Sequence, residues 1–221
     1  MSFNIAIDGP AGAGKSTIAK QLARELGYVY VDTGAMYRAM AYYFINNGIG
    51  AEDEEAIAAA CPNVNVSITY EDGVQNVWLN GENVSTVIRQ EEVGKMASAT
   101  SVYPVVRTKL VELQQELAKT TDVIMDGRDI GTVVLPNANV KIYMTASSAI
   151  RAKRRYDELT AKGVECDLDE IEKDIIERDY RDMNRETSPL KKADDAVELD
   201  TSDLDIDGVV AAMKAIIEEK K

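Results

Sequence analysis

Phe3-Asn-Ile-Ala-Ile7-Asp8-Gly9-Pro10-Ala11-Gly12-Ala13-Gly14-Lys15-Ser16-Thr17 decides the architecture of this chain. Residues 3–7 are a short apolar run suited to a buried strand, and Gly9 to Thr17 fit the spacing G-x-x-x-x-G-K-[ST]. Glycines let successive backbone N–H groups converge on phosphate oxygens. A helix opening near Lys15 points the positive end of its dipole at the same place. The Lys15 ammonium is then expected to reach the β- and γ-phosphates of a nucleoside triphosphate, and the Ser16 hydroxyl to join a Mg²⁺ shell. A chance glycine-rich turn is the competing reading, and the strand before and helix after weigh against it.

Outward from the loop, Ile18, Ala19, Leu22, Ala23 and Leu26 recur at helical spacing until Gly27. Tyr28–Val31 reads as a second strand, and a helix of about 35–46 ends at Asn47-Gly48. Asp122–Met125 and Val140–Met144 are further apolar runs, Ser147 caps a helix into the 150s, and Ala196–Leu199 is a last short strand. A helix of about 205–219 carries the apolar face Ile206, Val209, Val210, Met213, Ile216 and Ile217. Alternating strands and helices predict an α/β fold, a parallel sheet flanked by helices. Between about 61 and 100 the period changes. Val64, Val66, Ile68 and Tyr70 alternate with polar residues, and Asp72-Gly73 and Asn80-Gly81 are hairpin turn signals on either side of Val74–Leu79. A helical stretch of about 86–100 follows, so a small antiparallel insertion is expected within a parallel core.

Composition narrows the function. The 221 residues hold 25 Lys+Arg against 38 Asp+Glu, a net charge of −13, and no histidine. No Ser-His-Asp or Cys-His nucleophile and no His-ligated metal site is available. Cys61 and Cys166 are too few for a disulfide framework and read as inert thiols. So acidic a chain argues against general nucleic-acid or anionic-membrane binding. The start lacks a basic segment followed by a long apolar one, so no signal peptide is expected, and the chain reads as a cytoplasmic protein. Its length suffices for one core with an insertion.

A phosphate-binding loop serves switches, motors and small-molecule kinases alike. No Asn-Lys-x-Asp segment of the guanine-reading kind is present, and the chain is short for a motor. Arg151, Arg154, Arg155, Arg178, Arg181 and Arg185 are six of eleven arginines, within 35 residues. On a helix, Arg178, Arg181, Asp182 and Arg185 fall on one side and Ile176, Tyr180 and Met183 largely on another. A solvated face with pairs such as Glu177–Arg181 is the plain reading. Transfer between two phosphorylated substrates is the sharper one, because it needs more positive charge than one lysine supplies.

Two further segments carry a resemblance: Asp32-Thr-Gly-Ala-Met-Tyr-Arg38 and Asp126-Gly-Arg128-Asp129-Ile-Gly-Thr-Val-Val. With the loop at 9–17 and Glu177-Arg-Asp-Tyr-Arg-Asp-Met-Asn-Arg185, the chain resembles the bacterial cytidylate (CMP) kinases, nucleoside monophosphate kinases, over essentially its whole length. The resemblance implies a P-loop kinase core at 1–60 and 101–221, with a monophosphate-binding insertion at 61–100 and a short lid of about 155–168. It implies ATP as donor on Gly9 to Thr17, Mg²⁺ held by Ser16 with Asp126 as a candidate through water, and CMP or dCMP as acceptor. Arg38 and Arg128 resemble the acceptor-phosphate clamps, with the Thr33 hydroxyl donating beside them, and paired guanidinium donors suit that task. Asp129, Arg107 and Ser98 match the cytosine-reading positions, since a carboxylate accepts from the cytosine amino group and is repelled by the uracil carbonyl. Asp182 resembles the ribose contact, with Arg185 beside it, while Arg178 and Lys15 flank the transferring group. The plainer readings of the single residues are Asp129 as a partner for Arg128 or a turn cap, Arg107 as a surface residue, Ser98 as an ordinary helix residue and Asp126 as a loop cap. Trp78 reads as packing. A monomer is expected.

The missing histidine fits such an acceptor. A phosphate monoester has its second pKa near ~6 and is largely ionised at neutral pH, so it needs alignment and charge neutralisation rather than a general base. A UMP kinase and a non-catalytic nucleotide sensor are the rival readings.

Overall fold

The computed structural model describes residues 2–221. In chain order its elements are β1 (Asn4–Asp8), α1 (Lys15–Leu26), β2 (Val29–Asp32), α2 (Thr33–Asn46), α3 (Glu54–Ala60), β3 (Val66–Glu71), β4 (Val74–Leu79), β5 (Glu82–Asn83), α4 (Glu91–Thr100), α5 (Pro104–Thr120), β6 (Val123–Gly127), β7 (Val140–Thr145), α6 (Ser148–Ala161), α7 (Leu168–Asn184), β8 (Val197–Asp200) and α8 (Ile206–Glu218). Five strands form one sheet in the order β2-β6-β1-β7-β8, every ladder parallel.

Strands buried on both faces need apolar side chains at consecutive positions, and β1 and β6 have them. Ile5, Ile7 and Ile124 pack with Ile18 and Leu22 of α1 and with Val209 and Met213 of α8. Ala6, Val123 and Met125 point the other way, into a core shared with Met36, Met40 and Phe44 of α2 and Leu110 of α5. The chain leaves central β1 to one side for β2 and returns later to the other for β7 and β8. Such a reversal opens a crevice beyond the carboxyl ends of the strands. Asp8, Asp32 and Asp126 end their strands or lie next to the end, at that crevice.

The antiparallel segment pairs β3 with β4 from Val66↔Leu79 to Glu71↔Val74, and β4 with β5. Both hairpin turns take positive φ at both central residues (Asp72 51°, Gly73 75°; Asn80 50°, Gly81 87°), the geometry that matches strand twist. Val66, Val77 and Leu79 bury themselves in the same core as Met40 and Phe44, so the segment is built onto α2. The Gln75 side chain pairs with the Asp32 peptide, accepting from its N–H at 2.9 Å and donating to its carbonyl at 3.3 Å.

Three expectations are corrected. The helix expected over 86–100 is broken: Val87–Arg89 make one tight turn that buries Ile88, Gln90 is extended, and α4 starts afresh with Glu91 and Glu92 at its positive end. Ile206 does not join the core face of α8 but stands half exposed at the crevice. On α7 and its C-cap, Arg178, Asp182 and Arg185 share the cavity side, but Arg181, expected beside them, faces outward with Ile176, Tyr180 and Met183. Among the described residues no helix is long and apolar enough to cross a membrane.

Candidate active site

The loop between β1 and α1 is held in shape by a residue without a side chain. Gly9 has φ 148°, and a Cβ there would lie 1.9 Å from the Met144 carbonyl oxygen of β7. Helix α1 opens at Gly14, which has no side chain to cap it, and its first turn carries no acid, so its N–H groups are left for an anion. Lys15 is buried, and its Nζ donates to the carbonyls of Gly9 and Pro10, each at 2.7 Å. Burial and the nearby Arg128 guanidinium push the Lys15 ammonium well below the ordinary lysine range, and a phosphate beside it would reverse that.

Ser16 donates its hydroxyl to Asp126 Oδ2 at 2.8 Å, and the Tyr30 hydroxyl donates to Asp126 Oδ1 at 2.8 Å. Burial and the Asp32 carboxylate raise the Asp126 carboxyl above its ordinary value. A hydroxyl and a buried carboxylate side by side are hard oxygen donors, the kind Mg²⁺ takes. Among the described residues no three acidic, histidine or cysteine side chains converge.

Arg38, Arg128 and Arg178 line the same cavity as this loop. Arg38 of α2 and Arg89 of the insertion both bind Asp32, each at 3.1 Å, and Asp32 also accepts from the Ala35 N–H to start α2. Burial opposes the charge on Asp32, but Arg38 and Arg89 more than offset it and hold its carboxyl below the usual range. Arg128, on the loop after β6, donates its Nε to Asp182 at 2.9 Å. Burial and the neighbouring Arg128 charge lower the Arg178 guanidinium to about 10, which marks a place short of negative charge. Thr33 donates to the Asp126 carbonyl at 2.6 Å, so its proton is already engaged rather than free beside a phosphate.

At the far end lies a buried polar cluster. Asp129 pairs with Arg107, and Arg185 Nη2 stands 3.9 Å from the other Asp129 oxygen. Arg107 also donates to the Ser101 carbonyl at 3.1 Å and lies over the Tyr37 ring, 5.4 Å from its centroid. Ser98 Oγ, Arg107 Nε and Arg185 Nη2 are buried and lack a partner among the described residues. Buried polar atoms are normally satisfied, so these point to a ligand with its own donors and acceptors. Arg107 is buried on α5, not at the surface.

Every site residue expected from the sequence lines one cavity of about 800 Å³, except Gly9 and Pro10, whose carbonyls serve Lys15. The cavity also extends past α1 to an apolar shelf of Leu204, Ile206 and Val209, which it shares with Arg154, whose Nη2 donates to the Thr201 carbonyl at 2.7 Å. Of the arginine cluster at 151–155, Arg151 turns inward: it donates to the Ala11 carbonyl at 2.9 Å and pairs with Asp179 at 2.6 Å. Arg155 pairs with Glu158 at 2.9 Å, and both line the cavity. Sequence reasoning placed none of Tyr30, Tyr37, Gln75, Arg89 and the Leu204–Ile206 shelf at the site. Only Tyr37 lay inside a recognised motif, where its helical spacing from Thr33 signalled a shared face.

A glycine-rich loop of the phosphate-binding pattern and a group of arginines line one cavity at the switch point of a parallel sheet, which is the architecture of a P-loop kinase. Two solved structures share this fold: an uncharacterized protein from Eubacterium ventriosum (TM-score 0.52, 14% identity, covering 99% of each chain) and a gluconokinase from Sinorhizobium meliloti (TM-score 0.50, 12% identity, covering 98% of this chain and 92% of that one). The cytidylate kinase family model matches residues 5–219. Curated cytidylate kinases are 53% identical in Lactobacillus johnsonii (99% of this chain, 95% of the relative), 50% in Exiguobacterium sp. (100% and 98%) and 50% in Streptococcus pneumoniae (99% of each). The chain belongs to the cytidylate kinase family, and so to the nucleoside monophosphate kinases.

Proposed function

We propose that the protein transfers the γ-phosphoryl group of Mg·ATP to the phosphate of CMP or dCMP, releasing ADP and CDP or dCDP. One observation carries the choice of acceptor: the buried Asp129–Arg107 pair and the unpartnered Ser98 Oγ, all in the lining of the same cavity. An ionised carboxylate accepts from the cytosine amino group and repels the O4 carbonyl of uracil, while Arg107 and Ser98 supply donors for the remaining acceptors of the ring.

The other roles follow from charge. Gly9 to Thr17 and Lys15 take the donor phosphates, and the shelf of Leu204 and Ile206 with Arg154 takes the donor base by apolar and cation–π contact. Arg38 and Arg128 hold the acceptor phosphate near Thr33, Asp182 and Arg185 hold the ribose and base, and Arg178 neutralises the group in flight. A Mg²⁺ on the donor phosphates would be held by Ser16 Oγ and, through water, by Asp126, and supplies further neutralisation of charge. The acceptor oxygen forms the new P–O bond as the bond between the β- and γ-phosphates breaks, and the acceptor brings that oxygen already ionised, so no histidine is required. In this reading residues 61–100 are the monophosphate-binding part. The lid is the end of α6 and the six-residue turn before α7, within about 155–168. We place the reaction in a reducing cytoplasm, in keeping with the two free cysteines.

A side-by-side measurement of kcat/KM for CMP, dCMP, UMP, AMP and GMP with ATP tests the reading. CMP should lead UMP by more than about tenfold, that is, by more than about 1.4 kcal/mol of transition-state binding. A lead for UMP or AMP would reverse the assignment of Asp129.

A further inference from the structure

The geometry points to Asp8 as a positioning residue that frees Asp129 to face the acceptor base. Asp8 touches neither proposed substrate in this reading. It ends β1 opposite Gly127 of β6, and its carboxylate accepts the Ile130 N–H and the Gly131 N–H, both at 2.7 Å. Those two donors open a single wide turn, Ile130–Val134, closed by bonds from Val134 N–H to the Asp129 carbonyl and from Leu135 N–H to the Ile130 carbonyl. Turns of this width are uncommon and cluster at functional positions.

By position Asp129 is the cap of that turn, and an aspartate there ordinarily accepts from the second or third N–H, here that of Gly131 or Thr132. Asp129 makes no such bond among the described residues. Asp8, from a different strand, has taken the Gly131 donor, together with that of Ile130, instead. The Asp129 carboxylate is thereby released to pair with Arg107 and stand before Arg185, inside the cavity. Gly131 completes the joint: a Cβ there would lie 3.3 Å from Asp8 Oδ2 and 3.2 Å from Lys141 Cδ, both tight contacts. Because Asp8 is followed at once by Gly9, the same residue fixes the loop of Arg128 and Asp129 relative to the donor loop.

This inference rests on the reading of Asp129 as the base-sensing carboxylate, and the test separates the two. Wild type, Asp8→Asn, Gly131→Ala, Asp129→Asn and the double variant Asp8→Asn/Asp129→Asn are compared for CMP and UMP kcat/KM and, by calorimetry, for ATP affinity. In Asp8→Asn one N–H of the turn meets an amide NH₂, and the Asp129 carboxylate is drawn back to its own turn. The CMP:UMP ratio should fall by about tenfold with ATP affinity kept within about threefold, and the double variant should be no less selective than Asp129→Asn alone. Gly131→Ala, which presses on the same joint from the loop side, should lower the ratio in the same sense and gives the reading if Asp8→Asn does not fold. A merely structural role would depress CMP and UMP turnover together and leave the ratio intact, and that result overturns the proposal. A wild type without CMP preference would instead overturn the acceptor reading on which it stands.

Discussion

Arg107 and Asp129 form a buried ion pair in the wall of the cavity, with side chains only 3% and 6% exposed, although they come from α5 and the loop after β6. Removing one member of such a pair leaves an uncompensated buried charge, which costs about 3–5 kcal/mol. Asp129→Asn keeps an acceptor for Arg107 but removes the charge. We expect the CMP:UMP ratio to fall by at least about tenfold, the KM for ATP to stay within about twofold, and the urea midpoint to drop. Steady-state kinetics and a denaturation curve read all three. Unchanged selectivity would remove Asp129 from the base site.

Lys15 presently satisfies the carbonyls of its own loop, and a donor phosphate must draw it away from Gly9 and Pro10. Lys15→Ala should therefore lower kcat by about 10²–10³ or more, the scale of losing one preorganised charge at a transferring group. CMP binding measured by calorimetry should hardly change. Near-normal turnover would show that Lys15 is not at the phosphates.

Arg154 lines the cavity together with the apolar shelf and is tied to Thr201. Arg154→Ala removes a cation–π surface worth about 1–2 kcal/mol. The KM for ATP should rise about tenfold, with the KM for CMP unaffected. A rise in the CMP term instead would place the donor base elsewhere.

The buried Asp8 carboxyl is raised from 3.8 to about 6, chiefly by loss of solvation and in spite of its two N–H bonds. Between those values the folded chain holds a proton that the unfolded chain has released. Its stability thus falls as pH rises through the window, and the whole loss is in place above it. The size is about 3 kcal/mol, two pKa units. The side-chain amide introduced by Asp8→Asn cannot titrate, so the stability of that variant relative to wild type should improve by about that amount from about pH 4 to about pH 7.5 in parallel urea titrations. A difference that stays level across the range would mean that Asp8 ionises alike in both states.

The sheet and its loop were legible because their signals are local: an apolar run, glycines at fixed offsets, and a helical period from Ile18 to Leu26. The same holds for both hairpin turns, where Asp-Gly and Asn-Gly specify the backbone by themselves. Less local facts were not legible. The period of α7 puts Ile176, Tyr180 and Met183 on one stripe but does not say which stripe faces inward. Ionic partners decided that, with Asp179 drawn to Arg151 and Asp182 to Arg128. Ile206 continues the apolar period of α8, yet it lies at the first position of the helix, where the sheet no longer covers it. For the candidate site, the resemblance named residue types and positions. That Thr33 spends its proton on Asp126, or that Arg89 joins Arg38 on Asp32, depends on contacts across the fold that spacing does not encode.

The two-way pairing of Gln75 with the Asp32 peptide has a consequence for solubility. Strand β2 is the outermost strand on its side of the sheet, and an open edge of backbone donors and acceptors invites another chain to add a strand. A glutamine side-chain amide has the same donor and acceptor as a peptide group. Placed against Asp32, it occupies the last pairing position of that edge from within the molecule, and the insertion thereby shields the sheet from intermolecular growth where the crevice opens.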